Sequence, residues 1–242
     1  MTSENVRFVP AQDLWRSYDD YVLETARRID AKAVAELGGG ANPIVGQDEL
    51  WGFVPNRVVF DISSDELAKS HTSVEKRVAD LCQPIVEGVG AYDLVFSKML
   101  CEHLPDAEVF HRNCFNLLRP GGMSLHFFPT LFAAPFIVNR LLPEDLTRSI
   151  VRVVQPGRLD NPKLEKFPAF YNWCKGPTEK NLQRFRSVGF EIYEWRGGYG
   201  HTYYTRVPPL QAAEEAKSKF LLRHPVRSLT SFAVIALRKP LA

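Results

Sequence analysis

Short apolar runs alternate with amphipathic stretches through the first half of the chain. Apolar positions at helical spacing predict helices over residues 12–29, 65–70 and 105–118. Between them, compact apolar runs predict strands over residues 33–37, 57–62, 77–81, 92–97 and 123–128. Strands that alternate with helices in this way indicate parallel βαβ units in a doubly wound α/β sheet.

The pattern changes after residue 128. Residues 129–177 are irregular and rich in proline and aromatic residues, and a helix is predicted from Thr178 to Gly189. Strands follow over residues 190–195 and 231–238, with residues 196–229 as a second insertion. We therefore expect a single domain over residues 1–242, with an N-terminal helix within residues 1–30, seven strands, and two insertions near the ligand crevice.

Composition and charge narrow the classes of protein. Of 242 residues, 45% are hydrophobic and 24% are charged, as expected for a soluble globular domain. The net charge of +2 argues against a strongly basic DNA-binding protein. The cysteines show no CxxC pair and no Cys/His metal-ligand spacing, so we predict a reducing, cytoplasmic environment and no metal site. No segment has the pattern of a signal peptide or a transmembrane helix.

A glycine turn follows the first of these predicted strands, in the run Glu36-Leu37-Gly38-Gly39-Gly40. Glycines at a strand end let a ligand approach the backbone closely. A dinucleotide fingerprint that begins at Gly38 would need a small residue where Pro43 stands, and no Gly-Lys-Ser/Thr sequence of a P-loop is present. A carboxylate just before the turn repels a pyrophosphate and favours a cation such as an amino acid's ammonium.

A second acidic residue, Asp61, ends the next predicted strand, 25 positions after Glu36. A carboxylate at that place can accept hydrogen bonds from both hydroxyls of a ribose. The two acidic residues together indicate a ligand that is part amino acid and part nucleoside. S-adenosylmethionine has both parts.

Several segments resemble the class I S-adenosylmethionine-dependent methyltransferases. AELGGGANP is similar to the glycine motif of that family, VVFDIS to its second motif and Ala79-Asp80-Leu81 to its third. YDLVFSKMLCEHLPD and FNLLRPGG resemble its fourth strand, helix and Pro-Gly-Gly turn. One departure is the stretch after Gly40, where Pro43 and Gly46 interrupt the helical pattern.

The resemblance implies a fold, a cofactor and a set of site residues. It implies a Rossmann-like sheet with an antiparallel last strand, S-adenosylmethionine as cofactor, and Asp80 at the adenine amino group. The implied cofactor-binding residues are Glu36, Gly38, Gly39, Gly40, Asp61, Ile62, Asp80, Leu81 and Ser97.

Two histidines are candidate general bases. His103 follows the fourth strand, where the methyl group is expected, and either deprotonates an acceptor hydroxyl or has only a packing role. His201, at the start of the second insertion, is the other candidate.

The acceptor stays open at the level of sequence. Aromatic residues in both insertions favour transfer to an oxygen or nitrogen atom of a small molecule or glycan. A macromolecular methyltransferase, acting on RNA or protein, is the second reading. A binding protein that holds S-adenosylmethionine without turnover is the third.

Overall fold

The computed structural model describes residues 5–131 and 168–241, and its strands and helices alternate as the sequence predicts. The strands are β1 Val6–Pro10, β2 Ala33–Leu37, β3 Asn56–Asp61, β4 Glu75–Val78, β5 Tyr92–Lys98, β6 Leu118–Pro129, β7 Glu191–Tyr199 and β8 Phe232–Arg238. The helices are α1 Ala11–Arg28, α2 Asp48–Trp51, α3 Ser64–Lys69, α4 Ala107–Leu117, α5 Glu179–Val188 and α6 Pro208–Arg223.

These strands form one sheet in the order β1-β7-β8-β6-β5-β2-β3-β4. β8 runs antiparallel to β6 and β7, and the remaining pairs are parallel. The predicted α/β class and the antiparallel last strand are confirmed. The described residues add an eighth strand, because Val6–Pro10 pairs with the outer edge of β7.

Helix α1 fixes the end of β5. Its apolar stripe packs against the sheet, and the buried Tyr18 donates a hydrogen bond from its hydroxyl to the carbonyl of Ser97 over 2.7 Å. One residue along, the Lys98 ammonium lies 2.7 Å from a carboxylate oxygen of Asp19. These two contacts hold the point where β5 leaves the sheet.

Helix α4 begins two residues after Pro105, the proline predicted to open it. The Asp106 carboxylate accepts a hydrogen bond from the Val109 amide over 3.0 Å and caps the helix, so Pro105 precedes the cap. The predicted inner face, Phe110, Cys114 and Leu117, is buried as expected. After the helix, β6 starts five residues before the predicted strand and includes the Pro-Gly-Gly turn.

Residues 168–241 contain more regular structure than predicted. Helix α5 ends at Gly189, whose φ of +114° confirms the expected left-handed terminus. β7 runs to Tyr199, four residues past the predicted strand, and α6 occupies much of the predicted insertion at 196–229. Of the insertion at 129–177, residues 132–167, including Phe132, Phe136 and Phe167, lie outside the described residues. No helix within residues 5–131 and 168–241 has the length and apolarity needed to cross a bilayer.

Candidate functional site

The carboxyl ends of β2 and β3 bring the glycine turn and Asp61 together. Gly38 and Gly40 have φ values of +74° and +49°, in the left-handed region that glycine adopts without strain. Their positions are close-packed, because a Cβ on Gly38 would lie 2.9 Å from a methyl carbon of Leu100. A Cβ on Gly40 would lie 3.5 Å from Oδ2 of Asp61. The carboxylate therefore borders the turn directly.

Asp61 and its neighbour present contrasting surfaces at this edge. The Asp61 Oδ1 accepts a hydrogen bond from the Ser63 amide over 2.9 Å, which fixes the carboxylate. Ile62, the next residue, is 65% exposed. An exposed isoleucine beside a fixed carboxylate offers an apolar face and a hydrogen-bond acceptor to the same ligand.

Glu36 lies buried beneath the turn. Its Oε2 accepts a hydrogen bond from the Val45 amide over 3.0 Å, and a Cβ on Gly39 would come within 3.1 Å of its carboxyl carbon. Burial raises the pKa of Glu36 to about 7, although amides of Ile44 and Val45 oppose the shift. The contact explains the irregular stretch after Gly40, because the carboxylate holds the single 3-10 turn Ile44–Gly46 in place of a long helix.

Asp80 lies on the turn that follows β4. Its exposed carboxylate accepts a hydrogen bond from the Cys82 amide over 2.9 Å. The preceding amide, from Ala79, donates to the Asp61 carbonyl over 2.9 Å, so the two acidic turns are adjacent.

Two other predicted cofactor residues have their side chains in the core. Leu81 is buried in the apolar cluster under the sheet. The Ser97 hydroxyl lies 2.8 Å from Nδ1 of His126, and the Ser97 carbonyl accepts from Tyr18. Leu81 and Ser97 can therefore contact a ligand only through their backbone atoms.

His103 lies one strand away from the glycine turn, in the 3-10 turn Cys101–His103 after β5. Its Nδ1 is 2.9 Å from the carbonyl oxygen of Pro168, an acceptor only, so Nδ1 carries the proton and donates. In the neutral ring, Nε2 then holds the basic lone pair. The side chain is partly exposed, as a base that meets a substrate must be.

Glu102 is a residue that the sequence reasoning passed over. Its side chain is buried, and Oε2 has no hydrogen-bond partner among the described residues. Its Oε1 lies 3.6 Å from Nε2 of His103. Burial raises the pKa of Glu102 to about 8, so the carboxyl is mostly protonated at neutral pH. The adjacency of an acidic residue to the candidate base was the available signal.

His201 occupies a different part of the same edge. It follows β7, which lies four strands from β2, a separation of about 19 Å at ~4.8 Å per strand. Its side chain is buried with Nε2 3.5 Å from Oε2 of Glu214, and burial lowers its pKa to about 4. The structure does not bring His201 to the glycine turn.

A buried group of metal-ligand types was also missed by sequence spacing. His111 and Cys114 on α4 and His126 on β6 place one ligand atom each within 4.8 Å of one another. Both nitrogens of His126 are already hydrogen-bonded, to the hydroxyls of Ser97 and Ser124 at 2.8 and 2.7 Å. Burial lowers the pKa of His126 to about 3, so the group is a neutral polar network beneath β5 and β6.

Comparison with known proteins gives the family context of this edge. A family model described as a methyltransferase domain matches residues 37–125, which run from the glycine turn to β6. A ubiquinone biosynthesis O-methyltransferase of Rhizobium etli is 28% identical over 155 residues. The match covers 57% of this chain and 60% of that protein, so the chain matches well under two thirds of this relative's length.

Solved structures share the fold at low sequence identity. A phosphoethanolamine N-methyltransferase 2 of Haemonchus contortus, in complex with S-adenosyl-L-methionine, is 16% identical with a TM-score of 0.55, over 93% of this chain and 52% of that one. The cyclase SpnF is 15% identical with a TM-score of 0.54, over 94% of this chain and 82% of that one. The fold is thus shared with a protein named for another reaction, and it alone does not assign one.

Sheet order, glycine turn and matched family model agree with one another. The order places the antiparallel β8 between β6 and β7, and the turn lies at the end of the strand where the family match begins. Residues 37–125 of this chain are therefore similar to a methyltransferase domain, and the fold is one that S-adenosylmethionine-binding methyltransferases share.

Proposed function

We infer that this protein binds S-adenosylmethionine over the ends of β2, β3 and β4 and transfers its methyl group to a hydroxyl of a small molecule. The observation that carries the proposal is the contact between the Gly40 turn and the Asp61 carboxylate, with His103 one strand away. Bound there, the cofactor supplies an electrophilic methyl group on a sulfonium.

The residues at this edge fit the parts of that cofactor. Asp61 is a fixed acceptor for the ribose hydroxyls, and the exposed Ile62 is an apolar surface for the adenine. Asp80, on the adjoining turn, is an acceptor for the adenine amino group. The Glu36 carboxyl, with its pKa raised by burial, becomes more acidic when an ammonium group approaches.

His103 is proposed as the general base. Its Nδ1 donates to the Pro168 carbonyl, which orients the ring and leaves Nε2 to accept the proton of an acceptor hydroxyl. The buried Glu102 carboxyl lies beside this ring, with its Oε1 3.6 Å from Nε2 of His103.

Oxygen is the proposed target because the relatives are named O-methyltransferases and because a hydroxyl, unlike an amine, gains from a base. A glycan hydroxyl would be methylated by the same reaction, so glycans remain among the proposed acceptors. One structural neighbour is named a cyclase, so the same fold also serves a protein named for another reaction. The competing function is therefore a protein that holds S-adenosylmethionine without methyl transfer.

Calorimetric titration with S-adenosylmethionine and S-adenosylhomocysteine tests the first half of the proposal, with NAD as the control ligand. We expect micromolar binding of both adenosyl ligands and none of NAD. Gly38→Ala should weaken binding, because a side chain there meets a positive φ and Leu100. Unchanged binding in Gly38→Ala would contradict the assigned site.

A labelled-methyl screen tests the second half against phenols, catechols, glycans, amines and RNA. Transfer to a hydroxyl that is lost in His103→Ala and partly restored by added imidazole supports the base. Cofactor binding with no transfer to any acceptor favours the non-catalytic reading. Transfer to RNA alone favours the macromolecular one.

A further inference from the structure

Helix α6 has its polarity reversed relative to an ordinary surface helix. Its buried residues are Glu214 and Leu221, and Glu214 lies against the buried His201. At 100° per residue, one outward face collects residues that are all exposed: Ala212, Ala213, Ala216, Lys219, Phe220 and Arg223. A helix that only covered the sheet would bury the apolar residues and expose the glutamate.

Exposed apolar side chains also occur in the loop that follows the helix. Phe220 is 60% exposed, and Val226 and Leu229 in the following loop are 41% and 42% exposed. The loop is held firmly to the body, because the Tyr199 hydroxyl donates to the Val226 carbonyl over 2.8 Å. On the other side Arg227 donates from Nη1 to the Pro177 carbonyl over 3.2 Å.

Cationic residues alternate with these apolar residues along the chain. Lys219 and Arg223 lie beside Phe220 on the helix, and Arg227 lies between Val226 and Leu229. The exposed Glu215 lies four residues before Lys219 on the helix, and no aspartate or glutamate occurs from residue 216 to residue 242. We name the set Lys219, Phe220, Arg223, Val226, Arg227 and Leu229 the basic apolar face.

We propose that the basic apolar face docks the protein on an anionic lipid bilayer. Cations attract the negatively charged headgroups, and an exposed phenylalanine with two aliphatic side chains inserts at the boundary of headgroups and acyl chains. A nucleic acid would use the cations and leave the valine and leucine without a role. A symmetric contact with a second copy would bring like charges together.

Vesicle co-sedimentation with the full chain tests the proposal. We expect binding to phosphatidylcholine vesicles that contain phosphatidylglycerol, little binding to pure phosphatidylcholine, and a decline with salt. Arg223→Gln should weaken binding about fivefold, from ~1 kcal/mol per surface cation. Phe220→Ser should weaken it about tenfold, because an aromatic group no longer inserts.

The matched controls are Arg112→Gln and Phe53→Ser, an exposed arginine and a part-exposed phenylalanine elsewhere on the protein. Neither should change vesicle binding, and circular dichroism confirms that all four variants fold. Equal binding to both vesicle types, no binding, or equal losses in test and control variants would overturn the proposal. Two further results would also overturn it. One is that RNA displaces the protein from vesicles while Phe220→Ser leaves vesicle binding unchanged. The other is that the protein is a dimer in solution and Phe220→Ser dissociates that dimer. The measurement needs no methyl acceptor, so it stands apart from the proposed activity.

Discussion

The two ends of one sheet edge use the same residue types in opposite ways. At the end of β2 and β3, Asp61 is accessible beside a glycine turn, and the local backbone is shaped around it. At the end of β7, Glu214 and His201 face each other in the interior while apolar side chains face outward. An acidic residue or a histidine near a strand end therefore does not by itself indicate a ligand site.

The largest effect is expected at Asp61. In Asp61→Ala the ribose hydroxyls lose their acceptor, and affinity for S-adenosylhomocysteine should fall roughly 100-fold, from hydrogen bonds to a charged group at ~1.5–3 kcal/mol each. Calorimetry measures this, with Asp65→Ala on α3 as the matched control. If Asp61→Ala and Asp65→Ala bound S-adenosylhomocysteine with similar affinity, Asp61 would not be a cofactor residue, and the two ends of the sheet edge would not differ in this respect.

His201→Ala should do the reverse of Asp61→Ala: it should lower folding stability and leave cofactor affinity nearly unchanged. It leaves the buried Glu214 without its imidazole neighbour and opens a cavity, at a cost of about 1–3 kcal/mol of folding stability. Differential scanning calorimetry should show a melting temperature several degrees lower, since a loss of 1 kcal/mol lowers the melting temperature by about 2–4 °C in a chain of this size. Cofactor affinity should stay within twofold. A large loss of affinity with an unchanged melting temperature would make His201 part of the cofactor site.

Glu36 gives a pH-dependent test of the cofactor site at the ends of β2 and β3. Without ligand its pKa is about 7, and a neighbouring ammonium favours the carboxylate. Binding then releases a proton, so affinity for S-adenosylhomocysteine should rise about eightfold from about pH 6 to 7.5. Titrations at both pH values should show this rise, and Glu36→Gln should abolish it. An equal slope in both proteins would show that Glu36 does not meet the cation.

Glu102→Gln is expected to have the smallest effect on cofactor affinity and to change only the pH dependence of stability. The folded pKa of about 8 lies above the ordinary value of 4.5, so the native state holds this proton longer than the unfolded state. Stability contributed by the protonated form is therefore lost as pH rises from about 4.5 to 8. The variant cannot ionise, so at pH 9 it should melt on the order of 10 °C higher than the parent, from ~1.4 kcal/mol per pKa unit, and at pH 5 it should melt at the same temperature. Glu108→Gln, exposed on α4, should show neither change.

The fold was predictable wherever side-chain periodicity follows burial. β2 and β5 are almost wholly buried and have nearly continuous apolar runs, so their bounds came within one residue of the prediction. α6 was missed because its apolar residues do not mark its buried face. β1 was missed because five residues at a sheet edge, ending in Pro10, have no pattern of their own.

The candidate site also has one part that the sequence predicts and one part that it does not. The glycine turn and Asp61 were readable because a positive φ and a strand-end carboxylate are local requirements of the backbone. The unpartnered oxygen of Glu102 was not readable, because it depends on chain segments that are distant in sequence. The carbonyl of Glu102 accepts from Phe170, 68 positions away along the chain.

The pairing of β1 with β7 has a consequence for the order of folding. Val6 aligns with Trp195, roughly 190 positions along the chain, so this contact closes a loop of about three quarters of the sequence. During synthesis the first strand must wait for its partner to be made, while the β2–β5 region can assemble from shorter loops. We expect hydrogen exchange to protect the amides of β2 and β5 early in refolding and those of β1 last. The edge of β7 stays open in the meantime, which makes it the place where a stalled chain would aggregate.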